Sequence, residues 1–441
     1  MFQHYTFTPF NNFYSEFPPN SKDSQYLQVD EPYVDALPAA RYDFTVMAEA
    51  EALAQPTSTP RRPADEPDFT SGPPQDEAGG ILTVDLAALE ANWRALLRRA
   101  TPSECAAVVK ADGYGCGLVE VGARLARAGC KTFFVADLNE ARRLRGVASE
   151  PAIYVLSGLM PGTASSFADI RARPVIGNLV ELAEWDAFCA TQQWSGGAAL
   201  HVDTGMNRLG LSVNEAAALA PRIRSENHGI TLLMSHFACA DTPEHPLNER
   251  QIKIFREVRM LYRGIPAALA NSSGIFLGAA AHCDMVRPGA ALYGINPTPG
   301  RGNPMQPVVT LRARIVQLRT VPRGESVGYG AAWTATRTTR LAVAAVGYAD
   351  GYLRSSSATD EKPGGDAIVA GKRCPLAGRV SMDLIVIDVT DLPDNAVRRG
   401  DLATLIGDAL TLDAVASVAG TIGYEMLTRL GRRFHRVYRP G

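Results

Sequence analysis

ECAAVVKADGYG, residues 104–115, is an apolar run that stops at a lysine and then turns on two glycines. The same pattern, a short apolar run ending in a polar loop, recurs along the middle of the chain. The runs are Cys105–Lys110, Thr132–Asp137, Ala152–Ser157, Arg173–Gly177, Ala198–Asp203, Thr231–His236, Ala267–Asn271 and Asp284–Arg287. Helix-like segments such as Leu118–Ala128, Leu138–Gly146 and Asn248–Arg263 lie between them. Eight strand-then-helix units predict an α/β fold, a (β/α)8 TIM-type barrel, over residues 81–306. An open doubly wound sheet would want a glycine-rich dinucleotide turn after an early strand, and none is present.

Outward from the barrel the pattern changes on both sides. From Pro307 to the end, LRARIVQLRTV, TRLAVAAVGYA, DLIVIDV and RRFHRVYR read as strands, separated by turn signals such as EKPGGD. Only Leu412–Ala419 reads as a helix, so 307–441 is expected to be a mainly β C-terminal domain. Residues 1–80 are rich in proline, acids and small polar residues, as in QPTSTPRRPADEPDFTSGPPQDEAGG. Such a segment buries too little apolar surface to offset its ordering entropy, and it is expected to be a disordered tail.

Composition narrows the function. The 441 residues carry 44 Lys+Arg against 46 Asp+Glu, a formal charge of -2. A nucleic-acid binder would show a basic excess. No apolar run approaches the length of a membrane span, and no secretory signal is apparent. The seven cysteines are dispersed with no CxxC pair and no metal-ligand spacing, which predicts reduced thiols, no metal and a cytoplasmic protein.

In a barrel, functional side chains gather at the C-terminal ends of the strands. Lys110 is at the first such end, where apolar surroundings depress a lysine's pKa and favour Schiff-base chemistry. VDTGMNRLG puts Arg208 in the loop after the fifth run, MSHFACAD puts His236 after the sixth, ANSSG puts Asn271 and Ser272 after the seventh, and VRPGAALYG puts Arg287 after the eighth. Singly, each has a plain structural explanation: a lysine reaching solvent, a satisfied core histidine, an ion-pair arginine. Together, five reactive or charged groups at five strand ends mark a site. Ser272 and the backbone N–H groups of Gly289 and Ala290 are expected at the place where barrels commonly bind phosphate, which suggests a phosphate cradle. A reactive lysine facing a phosphate cradle suits pyridoxal 5'-phosphate.

The ordered motifs AVVKADGYG, VDTGMNRLG, ANSSG, VRPGAALYG, VGYG, VGYADGY, GRVSMD and GYE, spread from Ile81 to Arg439, resemble the alanine racemase family of fold-type III pyridoxal-phosphate enzymes. The resemblance implies interconversion of L- and D-alanine, for peptidoglycan supply or alanine breakdown. It implies that Lys110 carries the cofactor and acts as base on one face, and that Tyr329 is the base on the other. It further implies a homodimer with shared sites, Tyr329 and Met382 reaching the neighbour's site and Tyr348 gating it. By the same resemblance Arg287 faces the pyridine nitrogen, His236 lies beside the ring, and Tyr114, Ser272, Gly289, Ala290 and Tyr424 contact the phosphate. Arg208 lies near the cofactor phenolate and the substrate carboxylate. One departure stands out: His201 occupies a position where many members have a lysine that orients this arginine. Broad-specificity racemases, related decarboxylases and non-catalytic cofactor carriers share parts of the pattern. The Tyr329 and Arg287 motifs argue against the decarboxylases, and the residues after Pro307 argue against the carriers.

Overall fold

The computed structural model describes residues 72–223 and 229–440. Its first strand, β1 (Gly80–Asp85), is followed by a helix, Leu86–Ala100, capped by the Asp85 carboxylate. The barrel strands then follow in order. β2 is in two pieces, Glu104–Cys105 and Ala107–Val108; β3 is Thr132–Val135, β4 Ala152–Val155, β5 Ala172–Ile176, β6 Ala198–His201, β7 Ile230–Met234, β8 Ala267–Ala268 and β9 Met285–Val286. Each pairs in parallel with its successor. The break in β2 at Ala106 closes the ring: the first piece pairs with β9 and the second with β3. Nearly every strand residue is buried, as expected for a parallel sheet covered by helices. All eight apolar runs are therefore barrel strands.

The second sheet is mainly antiparallel. Its strands are β10 (Val309–Val321), β11 (Thr339–Ala344), β12 (Asp366–Val369), β13 (Lys372–Pro375), β14 (Ile385–Asp388), β15 (Leu402–Ile406) and β16 (His435–Arg439). The order β13-β12-β15-β10-β1-β16 runs through β10, which also pairs with β11 and so reaches β14. Two corrections to the sequence reading follow. The start of the expected barrel, residues 81–85, belongs to this sheet, with β1 held between β10 and β16. A strand bonded on both edges and buried on both faces carries no local mark of the sheet it joins. Residues 72–80, expected within the tail, also make defined contacts: Arg314 Nη2 donates to the Gln75 carbonyl at 2.9 Å, and Ala78 is buried. The rest of that segment lies outside the described residues.

The C-terminal domain carries the expected helix, Leu412–Val418, and a second one that the sequence reading lacks, Gly423–Thr428. The second helix closes on the loop after β2. A Cβ at Gly115 would stand 2.6 Å from the Leu427 carbonyl oxygen, so only glycine permits this approach. The contact brings Tyr424 toward Tyr114, close enough for the two phenols to interact electrostatically.

Candidate active site

The loop after β2 begins at Lys110 and is wound left-handed. Ala111, Asp112, Gly113, Tyr114 and Gly115 have φ of 54°, 55°, 63°, 54° and 77°. A left-handed L-residue costs roughly 1–2 kcal/mol, so three consecutive-loop non-glycines need outside support. Several bonds supply it. The amide of Gly113 donates to the Val109 carbonyl at 2.9 Å and that of Gly115 to Ala111 at 2.8 Å. The Asp112 carboxylate accepts from the Leu118 amide at 3.2 Å and from Arg143 Nη2 at 2.7 Å. The Asp112 amide donates to the buried Glu140 carboxylate at 2.8 Å. The Tyr114 ring stacks on Tyr293 at 4.7 Å between centroids.

Cations converge on this rim. Burial lowers the Lys110 pKa, and Arg208 and Arg287 push the same way, while Glu140 opposes them. Arg287 is 3% exposed and follows β9 directly. Its Nη2 donates to the carbonyls of Ser235 and Leu269, and its guanidinium carbon lies 5.6 Å from the centroid of the Phe134 ring, itself stacked on Tyr154. Its Nε has no hydrogen-bond partner. Burial brings its pKa down to about 10, so it remains a cation at neutral pH. His236 is driven well below the usual imidazole range by burial, then by Arg287, Arg208, His201 and Lys110. His201 falls to about 4, by burial and Arg287 above all, with Asp203 opposing. A neutral His201 does not repel Arg208. The structure thus brings Lys110, His201, Arg208, His236 and Arg287 into one field.

The expected phosphate cradle has a defined geometry. Ser272 Oγ accepts from the Gly289 amide at 3.0 Å and the Ala291 amide at 3.2 Å. Ala290 opens a short 3-10 helix, Ala290–Tyr293, rather than an α-helix. A Cβ on Gly289 would lie 2.4 Å from the Tyr114 hydroxyl, so only glycine lets Tyr114 approach this closely. Asn271 serves the turn itself, accepting from the Gly274 amide at 2.9 Å.

Tyr329, Tyr348 and Met382 are in the C-terminal domain and are 72%, 41% and 53% exposed. The Tyr348 and Ala349 amides donate to the carbonyls of Ser381 and Met382, each at 3.0 Å, which joins VGYADGY to GRVSMD. Among the described residues no hydrogen bond or ring contact joins any of the three to Lys110. Sequence reasoning missed Glu140, and it missed Gln251, which is fully buried. Gln251 Nε2 donates to the His236 carbonyl at 2.8 Å and to Thr204 Oγ1 at 3.1 Å, and so fixes the loops after β6 and β7. The signal for Gln251 was a polar residue on the apolar stripe of the helix Pro246–Leu261.

Comparison with known proteins adds the following. A model of the alanine racemase N-terminal domain matches residues 84–297, and one of the alanine racemase C-terminal domain matches residues 308–438. An alanine racemase of Methylobacterium sp. (strain 4-46) is 53% identical over 360 residues, spanning 82% of this chain and 98% of the relative. One from Methylobacterium nodulans is 54% identical over 363 residues, with 82% and 97% covered. The crystal structure of alanine racemase from Bartonella henselae with covalently bound pyridoxal phosphate superposes with a TM-score of 0.77 at 36% identity, covering 82% of this chain and 99% of that one.

Proposed function

This chain belongs to the alanine racemase family, and from that premise we propose a two-base reading of its site in which Lys110 serves one face of the substrate and Tyr329 the other. The protein is an isomerase that interconverts L- and D-alanine and depends on pyridoxal phosphate. The residues present suit that group. The Ser272 hydroxyl accepts from the Gly289 and Ala291 amides and keeps its own O–H to donate to an anion, and the buried Arg287 has an unpaired Nε. Lys110 would carry the cofactor, with Tyr114, Ser272, Gly289, Ala290 and Tyr424 around its phosphate, His236 beside its ring and Arg287 at its ring nitrogen. When bound, pyridoxal phosphate withdraws electron density from the substrate Cα and acidifies its proton.

The chain's own groups supply the rest. Racemisation removes the Cα proton from one face and delivers one to the other. Lys110 Nζ is a competent base because burial and the two arginines favour its neutral form. Arg208 is the cation for the substrate carboxylate. Arg287 holds its own proton, being a cation far above neutral pH, so it donates a hydrogen bond without giving a proton away. The phenol of Tyr329 delivers or removes the proton opposite Lys110.

Tyr329 and Met382 would do this in a neighbouring copy, with Tyr348 at its entrance. Their exposure on the C-terminal domain supports a homodimer with shared sites. A cytoplasmic enzyme that supplies D-alanine for peptidoglycan or serves alanine breakdown completes the reading. All seven cysteines are unpaired thiols, and no described helix is long and apolar enough to cross a membrane.

The observation that carries this function is the convergence of Lys110 with Arg208, His236 and Arg287 on the rim that also carries Ser272 and Gly289. Its test is racemisation of L-alanine, L-serine and L-lysine side by side, together with borohydride trapping of the cofactor. Alanine is the expected substrate, and Lys110→Ala is expected to abolish trapping. A trapped cofactor on another lysine of that variant would refute the assignment of Lys110.

A further inference from the structure

Glu140 holds no catalytic or cofactor-binding role in the reading above, and its bonds are unusual. It is the third residue of the helix Leu138–Arg145, whose cap, Asp137, accepts from the Glu140 amide at 2.9 Å. In a capping box the glutamate would return to the amide of the cap residue. Here Glu140 Oε2 accepts instead from the Ala136 amide, one residue earlier, at 2.8 Å. Oε1 is left to reach across to the neighbouring loop, where it accepts from the Asp112 amide at 2.8 Å. The residue is 8% exposed, and burial raises its pKa while these two amides lower it. One carboxylate thus bolts the end of β3 to the left-handed loop that starts at Lys110.

Charged and titratable groups surround Lys110. Arg208 faces it from the loop after β6, Arg287 from the end of β9, and the neutral His236 from the loop after β7; His201, neutral as well, adjoins the same arginines. Asp112, on the lysine's own loop, is held by Arg143. Glu140 is the carboxylate whose field opposes the two guanidinium groups at Lys110.

We propose that Glu140 is a positioning residue for Lys110: its carboxylate clamps the left-handed loop that carries the lysine and sets a negative charge against Arg208 and Arg287. The proposal rests on the reading of Lys110 as the cofactor-bearing base. Losing the clamp frees the Asp112 amide and loosens the lysine. Losing the charge removes a stabiliser of the ammonium form, so the lysine gives up its proton at lower pH.

The test uses the full-length protein, washed free of cofactor with hydroxylamine and resupplied with free pyridoxal phosphate. The rate of capture by the lysine is followed by visible absorbance from pH 6 to about 10, the range that spans a depressed lysine pKa. Capture needs neutral lysine, so the rate rises to a plateau through an inflection. Glu140→Gln keeps the shape and removes the charge, and its inflection is expected to move to lower pH. Glu140→Asp keeps the charge but shortens the reach, so its inflection is expected to stay and its plateau to fall roughly tenfold, the worth of about one hydrogen bond to a charged group. A merely structural glutamate would lower thermal stability and leave the inflection of Glu140→Gln where it was. An unmoved inflection in folded Glu140→Gln overturns the proposal, and so does an undiminished plateau in Glu140→Asp. Capture that persists in Lys110→Ala would instead refute the underlying assignment of Lys110.

Discussion

Gly289→Ala tests the steric logic of the cradle. The added methyl carbon would lie 2.4 Å from the Tyr114 hydroxyl oxygen, 3.0 Å from the ring carbon that bears it and 3.3 Å from Val108 Cβ. Tyr114 has little room to retreat, because it is buried and stacked on Tyr293. Overpacking of this kind costs about 1–3 kcal/mol. Placed on cofactor binding, that cost weakens affinity by roughly 5- to 150-fold, at 1.4 kcal/mol per decade. Fluorescence titration of cofactor-free protein measures affinity, and urea unfolding measures stability. The control is Tyr114→Phe in the same background: removing the hydroxyl takes away the worst contact and is expected to recover most of the lost stability. Wild-type stability and affinity in Gly289→Ala, or no recovery in the double variant, would refute the packing argument.

Three further outcomes follow from the same geometry. Mixing inactive Lys110→Ala with inactive Tyr329→Phe under subunit exchange is expected to restore part of the activity, whereas a fully active monomer by analytical ultracentrifugation would contradict shared sites. His201 and His236 are held neutral in the folded protein and take up protons on unfolding. Stability should therefore fall as pH drops below 6.5 toward 4, by about 1.4 kcal/mol per pH unit for each histidine; His201→Asn should flatten that slope in urea melts at stepped pH, and an unchanged slope would refute the burial argument. Gln251→Leu, which strips the Thr204 and His236 loops of their shared donor, should cost about 1–3 kcal/mol in thermal unfolding and lower alanine turnover, and full retention of both would contradict its bracing role.

The barrel was legible because its strands are short, apolar and punctuated. The eight runs end at Lys110, Asp137, Ser157, Gly177, Asp203, His236, Asn271 and Arg287, and five of these ends are or lead into the candidate residues Lys110, Arg208, His236, Ser272 and Arg287. What escaped was non-local. β1 takes its place from partners more than 200 residues away, Leu82 opposite Leu311 and beside Arg436. The helix Gly423–Thr428 is too short to show a period. Glu140 reads as an ordinary first-turn glutamate, and its role comes from two backbone amides on either side of it in space. Tyr329, Tyr348 and Met382 were visible only through the family resemblance. Their motifs are exposed loops, and nothing in their spacing marks a site that a second copy would complete.

The central claim is that two different bases serve the two faces of alanine, and hydrogen exchange in deuterated solvent tests it most directly. Tyr329→Phe keeps Lys110 and removes the opposite proton donor, so net racemisation should fall by roughly 10²–10⁴. The variant should still exchange the Cα hydrogen of D-alanine faster than it racemises it, and should exchange that of L-alanine much more slowly. A residue that only closes the entrance has no face preference. Equal losses of exchange with both enantiomers would contradict the two-base account.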